Sequence, residues 1–178
     1  MKKINKKKGI LFWITGLPGS GKTTLGNKIH KEITREYGPT IMISGDNIRK
    51  IFKLTGYENK ERLKISYKYS NFAKYITNQK INIILAVVAM YDETREWNRL
   101  NIDNYVEIYI KSNIKNIIKM NKKKIYKKKN PGKLIGVDIK PQYPKNPTIT
   151  LTNFFKSNSD KLSKTLLIEI NNLMHAKK

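Results

Sequence analysis

The segment from Gly16 to Thr24 restricts the fold of this 178-residue chain more than any other part of the sequence. It fits the phosphate-binding pattern G-x-x-x-x-G-K-[ST], with Gly16 at the first position and Gly21, Lys22 and Thr23 at the last three. Glycines let the backbone curl until successive N–H groups point inward at phosphate oxygens. The pattern predicts that Lys22 bridges the β- and γ-phosphates and that the Thr23 hydroxyl ligates Mg²⁺.

The residues on either side supply the structural context that this pattern requires. An almost unbroken apolar run precedes it at Ile10–Ile14, as expected of a strand buried on both faces. Leu25, Ile29, Ile33 and Tyr37 follow at four-residue spacing, which predicts one stripe of a helix. Phosphate would then lie at a helix N-terminus, where the helix dipole favours anions. The candidate nucleotide-binding residues form one continuous loop: Gly16, Leu17, Pro18, Gly19, Ser20, Gly21, Lys22, Thr23 and Thr24.

Strand and helix patterns alternate along the rest of the chain, which favours a parallel sheet with helices on both faces. Further strands are predicted at Thr40–Ser44, Ile81–Ala89, Tyr105–Ile110 and Thr148–Leu151, and further helices at Asp46–Lys53, Lys60–Asn78, Glu93–Leu100, Ile114–Lys122 and Asp160–Met174. The length suits one domain over residues 1–178. We therefore predict a single α/β domain around a five-stranded parallel sheet.

Charge and composition narrow the class of protein. The net charge is +24, with 37 Lys and Arg against 13 Asp and Glu, and the basic residues are overwhelmingly Lys. Such a charge is typical of polyanion-binding proteins, but specific readers of nucleic acid rely on Arg at base edges. We expect a basic surface that attracts anionic nucleotides and no specific nucleic acid. The chain has no cysteine for disulfides or zinc, and no apolar run reaches the roughly 18 residues of a membrane span, so we predict a cytoplasmic protein without a membrane segment.

The segment from Lys122 to Pro147 differs from the other connections. It carries a run of lysines around Tyr126, and it is later broken by Pro141, Pro144 and Pro147. The segment is too long for a simple connection. Beside a phosphate site, we interpret it as a basic lid that closes over phosphates. A disordered basic excursion is the alternative.

A second polar group follows the predicted strand Thr40–Ser44. Ligands bind at the carboxyl ends of parallel strands, so Asp46 is expected near the phosphate loop. A carboxylate there can orient Mg²⁺-bound water or accept a proton from an attacking hydroxyl. Arg49, one helical turn later, would face the same cleft and bind a phosphate or sulfate. The alternative is an N-capping Asp46 with a surface Arg49.

Together, these motifs resemble the adenylylsulfate (APS) kinase family of P-loop kinases over nearly the whole chain. The family's opening pattern is matched by Phe12–Lys22, and its Asp-Gly-Asp-Asn-[Ile/Val]-Arg motif is matched from Gly45 to Arg49. Its Gly-[Phe/Tyr] pair is Gly56-Tyr57, its lid motif is Lys123–Lys128, and its Gly-[Ile/Val]-Asp motif is Gly136–Asp138.

The resemblance implies a P-loop nucleoside-phosphate-kinase-like three-layer fold with a basic lid, ATP and Mg²⁺ as cofactors, and a possible homodimer. It implies transfer of the γ-phosphoryl group of ATP to the ribose 3′-hydroxyl of a small nucleotide, with Lys22 and Asp46 catalytic and Thr23 on the metal. Tyr57 would hold the base of the acceptor, and Lys123, Lys127 and Lys128 would neutralise charge during transfer. The full set of substrate-binding candidates is Asp46, Arg49, Tyr57, Lys123, Leu134 and Ile135.

The chain departs from the family pattern mainly on the acceptor side. Ser44 replaces the first Asp of Asp-Gly-Asp, and Ala89-Met90 replaces a Ser-Pro pair. Met120-Asn121 replaces the Arg-Asp that begins the lid, and Leu134 replaces an aromatic residue that stacks on adenine. The polar clamp of the third helix is absent around Ile65–Lys68.

These departures leave the acceptor open. The pattern from Tyr91 to Arg99 resembles family members from surface-polysaccharide clusters, some of which phosphorylate other nucleotides such as cytidine diphosphoramidate. Adenylylsulfate is the default acceptor, and cytidine diphosphoramidate is the alternative. A non-catalytic nucleotide-binding or polyanion-binding protein is the alternative from another functional class.

Overall fold

The computed structural model describes residues 4–120, Tyr126, 134–155 and 159–176. Within these ranges, strands and helices alternate along the chain as the sequence predicts. The strands are β1 (Leu11–Thr15), β2 (Thr40–Ser44), β3 (Asn82–Ala86), β4 (Tyr105–Lys111) and β5 (Ile149–Thr152). The helices are α1 (Lys22–Tyr37), α2 (Gly45–Ile51), α3 (Asn59–Asn78), α4 (Asp92–Asn101), α5 (Ile114–Met120) and α6 (Ser159–Ala176).

The strands of the described chain form one parallel sheet in the order β2-β3-β1-β4-β5. The central strand β1 is buried along its whole length. Its residues alternate between two cores because successive side chains in a strand point to opposite faces. Phe12 and Ile14 pack toward α1 and α6, and Leu11 and Trp13 pack toward α3. The predicted three-layer α/β architecture is confirmed, and the unbroken apolar run of β1 follows from burial on both faces.

One predicted strand ends earlier than its apolar composition suggests. The run Ile81–Ala89 was expected to be a strand throughout, but β3 ends at Ala86. The N–H of Val87 still donates to the carbonyl of Ile14 at 2.9 Å, and the chain then leaves the sheet. Val87, Val88 and Ala89 turn along the cleft above the sheet. A buried loop and a buried strand have the same apolar composition, so the sequence cannot distinguish them. The end of the hydrogen-bond ladder defines where the strand stops.

A buried ion-pair network supports the sheet beneath α4. The carboxylate of Glu107 on β4 and the guanidinium of Arg95 on α4 are each 1% exposed, with Oε1 and Nε 3.4 Å apart. Arg99 Nη2 lies 2.5 Å from the other carboxylate oxygen. Burial raises the pKa of Glu107, and the charges of Arg99 and Arg95 oppose that shift. Arg95 also donates to the carbonyl of Gln142 at 2.7 Å, which fastens the end of the predicted lid segment to α4.

None of the helices in the described ranges is long and apolar enough to span a membrane.

Candidate functional site

The loop between β1 and α1 has the geometry of a phosphate cradle. Gly16, Gly19 and Gly21 have φ angles of 151°, 79° and 97°, which residues other than glycine rarely adopt. A Cβ at Gly16 would lie 2.6 Å from the carbonyl oxygen of Ile110, so the loop needs glycine there for space as well. The predicted nucleotide-binding loop, residues 16–24, leads directly into the first turn of α1. Its backbone N–H groups therefore combine with a helix N-terminus to attract an anion.

Lys22 lies within this loop and is 7% exposed. Its ammonium donates to the carbonyls of Leu17 at 2.7 Å and Gly16 at 3.0 Å. These contacts hold the positive charge at the centre of the cradle, as expected of the lysine in this motif. Thr23 and Thr24 are exposed and line the adjoining cavity.

Asp46 lies at the start of α2 and lines the same cavity. Ser44, and not Asp46, caps this helix: its hydroxyl accepts the N–H of Asn47 at 3.2 Å. The interpretation of Asp46 as a helix cap is therefore wrong, and the Ser44 departure from the family pattern has a structural explanation. The Asp46 carboxylate faces the cavity without being required as the cap.

Arg49, Tyr57 and Arg62 form a cationic and aromatic group on this side of the loop. The guanidinium carbons of Arg49 and Arg62 lie 4.7 Å and 5.3 Å from the centroid of the Tyr57 ring. Arg49 Nη1 donates to the carbonyls of Leu54 at 3.1 Å and Gly56 at 2.8 Å. Arg62 Nε donates to the carbonyl of Tyr57 at 2.7 Å. These bonds fix both guanidinium groups at the wall of the cleft.

The electrostatics of this group favour an anionic ligand. Burial, and then the nearby charge of Arg49, lower the pKa of the Arg62 guanidinium, which still remains protonated at neutral pH. Burial also raises the pKa of Tyr69, against the opposing effect of Arg49. Two partly desolvated cations that repel each other gain most from a ligand that carries negative charge between them.

A cavity of about 1170 Å³ joins these residues to the phosphate loop. That volume exceeds the range of about 300–1,000 Å³ typical of a site for one small molecule. The phosphate loop follows the central strand, so it divides the cleft into two parts. We call them the α2–α3 side, with Asp46, Arg49, Tyr57, Arg62 and Tyr69, and the α5–α6 side, with Ile117, Met120, Asn153, Phe155 and Leu162.

The α5–α6 side is mainly apolar and is joined to the phosphate loop by one amide side chain. Asn153 Nδ2 donates to the carbonyl of Ser20 at 3.0 Å, and its Oδ1 accepts the N–H of Phe155 at 2.9 Å. Phe155 packs with Ile117 and Leu17, and its φ of 59° lies in the left-handed region. The two sides thus differ in chemistry: one is cationic, and the described part of the other is mainly apolar, with Asn153 and Ser159 as polar residues.

The described end of the predicted lid segment lies against the phosphate loop. Leu134 and Ile135, two of the predicted substrate-binding residues, line the cavity within a turn in which the carbonyl of Leu134 accepts the N–H of Asp138 at 2.8 Å. Gly136 has a φ of 95°, and a Cβ there would lie 2.8 Å from Leu17. Tyr126 donates from its hydroxyl to the carbonyl of Pro18 at 2.8 Å. The predicted lysines of the lid, Lys123, Lys127 and Lys128, lie outside the described residues.

A metal ion at this site would depend on the nucleotide for most of its ligands. In the described ranges, no group of three or more His, Asp or Glu side chains is arranged to hold a metal. Mg²⁺ commonly takes one or two protein oxygens together with substrate phosphates and water. The exposed hydroxyl of Thr23 beside the phosphate cradle fits that mode of binding.

The sequence predicted Arg49 and Tyr57 as residues of the cleft. It did not predict Arg62, Asn153 and Phe155, which also line the cavity. Arg62 had an available signal: it is one of only five arginines in a chain whose basic residues are nearly all lysine. Asn153 and Phe155 had no such signal because their contact with the phosphate loop joins residues 133 positions apart.

Comparisons with known proteins agree with this geometry. The family model described as adenylylsulphate kinase matches residues 8–152. The chain is 32% identical over 142 residues to a cytidine diphosphoramidate kinase of Campylobacter jejuni, covering 78% of this chain and 84% of that protein. It is 31% identical over 153 residues to an adenylyl-sulfate kinase of Staphylococcus epidermidis, covering 83% of this chain and 77% of that protein.

The fold also resembles that of a solved kinase structure. The Mycobacterium tuberculosis APS kinase, in complex with AMPPNP and APS, superposes with a TM-score of 0.81 at 20% identity. The match covers 92% of this chain and 98% of that chain. The family match spans most of the chain and includes both the phosphate loop and the α2–α3 side, so this chain belongs to the adenylylsulfate kinase family of phosphotransferases that act on an alcohol group.

Proposed function

We propose that the chain transfers the γ-phosphoryl group of ATP to the ribose 3′-hydroxyl of a small anionic nucleotide. The observation that carries this proposal is the division of the cleft by the phosphate loop. Arg49 and Arg62 offer two positive charges beside the Tyr57 ring on one side, and an apolar surface lies on the other. A kinase needs separate sites for donor and acceptor, and these two surfaces suit a nucleobase and an anionic acceptor.

In the transfer step, the acceptor 3′-oxygen forms a bond to the γ-phosphorus, and the bond from that phosphorus to the β–γ bridging oxygen breaks. ADP leaves, and Asp46 accepts or directs the proton of the hydroxyl. Lys22 and the loop amides balance the charge that spreads over the phosphoryl oxygens. Mg²⁺ on Thr23 and the phosphates would supply further charge neutralisation. Arg49 and Arg62 hold the acceptor anion, and Tyr57 offers a ring for its base.

Adenylylsulfate is the proposed acceptor by family resemblance, and cytidine diphosphoramidate is the second candidate. Two observations favour the second. Leu134 and Ile135 offer aliphatic side chains at the cavity, where the family has an aromatic wall for adenine. The chain is also 32% identical to the cytidine diphosphoramidate kinase of Campylobacter jejuni. Both acceptors carry a ribose and a negatively charged 5′ group that two arginines can bind.

An acceptor panel tests the proposal. ADP release from ATP is measured with adenylylsulfate, cytidine diphosphoramidate and plain nucleoside diphosphates, using wild type and Lys22→Ala. We expect acceptor-dependent turnover that falls by roughly 10²-fold or more in Lys22→Ala, which loses a charge used in the transition state. Turnover that no acceptor stimulates would favour a non-catalytic nucleotide-binding protein. Turnover in Lys22→Ala within a few-fold of wild type would contradict the role of the loop.

A further inference from the structure

The hydroxyl of Tyr69 joins two functional groups on the α2–α3 side of the cleft. Tyr69 lies on α3, is 5% exposed, and lines the cavity together with Asp46 and Arg49. Its hydroxyl donates to the carbonyl of Gly45 at 3.4 Å and makes a second hydrogen bond with the side chain of Arg49. A guanidinium only donates, so the phenol oxygen is the acceptor in that second bond. One hydroxyl therefore connects the arginine with the turn that carries Asp46.

The surroundings of the phenol keep it in the protonation state that this bridge requires. Burial raises the pKa of Tyr69, the charge and hydrogen bond of Arg49 oppose that shift, and the charge of Asp46 adds to it. The phenol therefore keeps its proton at neutral pH and can donate to Gly45 while it accepts from Arg49. Both charged groups lie within electrostatic reach of this one side chain.

The other restraints on Arg49 do not align its guanidinium with Asp46. Its Nη1 donates to the carbonyls of Leu54 and Gly56, which lie in the segment between α2 and α3. Those two bonds keep the positive charge in the cleft. Arg49 and Asp46 share α2, but the long arginine side chain has many rotamers, so the shared helix does not fix the distance between the two groups. The bridge through Tyr69 adds that restraint.

We propose that Tyr69 is a positioning residue for phosphoryl transfer, whose hydroxyl aligns Arg49 with Asp46. An acceptor bound through its anion then presents its ribose hydroxyl to the carboxylate. The inference rests on the proposed function, in which Arg49 binds the acceptor anion and Asp46 accepts or directs the proton. A misplacement of about 1 Å in such an alignment can slow a reaction by about 10²-fold. Loss of the bridge should therefore slow transfer more than it weakens acceptor binding.

The test is the kinetics of Tyr69→Phe in the full chain, with ATP, Mg²⁺ and either adenylylsulfate or cytidine diphosphoramidate. The variant keeps the ring and removes only the hydroxyl. Steady-state kinetics give the KM of each substrate, and single turnovers at saturating acceptor give the rate of transfer. We expect transfer to slow by about tenfold, while the acceptor KM changes by less than about threefold and the ATP KM by less than about twofold. Arg49→Ala removes the anion contact itself and should instead raise the acceptor KM by about tenfold or more.

A double-mutant cycle and a matched control separate positioning from a general loss of stability. In an Arg49→Ala background, Tyr69→Phe should change the transfer rate by less than about twofold, because the group that it aligns is gone. Tyr37→Phe removes a hydroxyl that bonds Asn171 at 2.6 Å between α1 and α6, and it should leave all kinetic constants unchanged. Thermal unfolding checks that each variant is folded. Arg49→Lys keeps the charge but loses the planar fork, so it should also slow transfer and tests the bridge even if Tyr69→Phe is unstable.

The possible outcomes lead to different conclusions. A transfer rate for Tyr69→Phe within about twofold of wild type would overturn the proposal. A rise in acceptor KM that accounts for the whole loss of kcat/KM would also overturn it, because Tyr69 would then act in acceptor binding. The same holds if the effect of Tyr69→Phe is equal with and without Arg49. Wild type whose turnover no acceptor stimulates would refute the proposed function, and this inference with it.

Discussion

Replacement of Arg62 by alanine should reduce use of the acceptor without changing use of ATP. Its guanidinium lies 5.3 Å from the Tyr57 ring on the α2–α3 side, across the phosphate loop from Phe155. A hydrogen bond to a charged group contributes about 1.5–3 kcal/mol, so its loss should lower kcat/KM for the acceptor by about 10- to 150-fold. The KM for ATP should stay within about twofold. Steady-state kinetics with each substrate varied in turn would measure both effects.

Two further variants separate the role of this guanidinium from its charge. Arg62→Lys keeps the charge but loses the planar fork, so it should fall between wild type and Arg62→Ala. Arg35→Ala removes the same charge from an exposed pair with Glu32 and should leave both kinetic constants unchanged. Arg62 also holds the carbonyl of Tyr57, so thermal unfolding of each variant checks that the fold persists. Loss of ATP use equal to loss of acceptor use would refute the division of the cleft.

Other predictions concern stability, pH and charge. Glu107→Ala leaves Arg95 buried without its carboxylate, and it should lower the free energy of unfolding by about 3–5 kcal/mol in urea denaturation. Burial, and then the nearby Tyr143, raise the pKa of Tyr126 from 10.0 to about 12. The hydrogen bond from the Tyr126 hydroxyl to the carbonyl of Pro18 should therefore contribute its full stability below about pH 10. That stability should be lost as the pH rises toward about 12, because the hydroxyl then loses its proton. Thermal unfolding between pH 9 and 12 should show that loss in wild type but not in Tyr126→Phe. Binding to DNA or RNA should be weak and disappear between about 50 and 200 mM salt, and a specific complex that survives physiological salt would contradict it.

The parts of the fold that were predictable depend on local patterns. The β1–loop–α1 unit combines a short apolar run, a glycine pattern and a helical stripe, and each of these is read within a few residues. The boundary of β3 at Ala86 was not predictable, because Val87–Ala89 continue the apolar composition after the hydrogen-bond ladder ends. Whether an apolar segment is a buried loop or a buried strand depends on tertiary packing, which the local sequence pattern does not reveal.

The candidate site was predictable where a motif carries its own chemistry. The position of Asp46 near the phosphate loop could be predicted from its place after β2. That Ser44, and not Asp46, caps α2 could not be predicted, because the sequence showed Ser44 only as a departure from the family pattern. The Asn153–Ser20 bond depends on which turn the sheet order brings to the phosphate loop. Nothing near residue 153 indicates that contact, because it arises from the placement of β5 two positions from β1.

The distribution of arginine connects the basic composition to the site. Lysine can supply a positive charge wherever the planar guanidinium is not needed, so the five arginines of this lysine-rich chain are expected where it is. Four of the five arginines fit that description. Arg49 and Arg62 flank Tyr57 in the cleft, and Arg95 and Arg99 bind the buried carboxylate of Glu107. Four of the five arginines therefore lie at two places: the α2–α3 side of the cleft and the buried network in which Arg95 also donates to the carbonyl of Gln142.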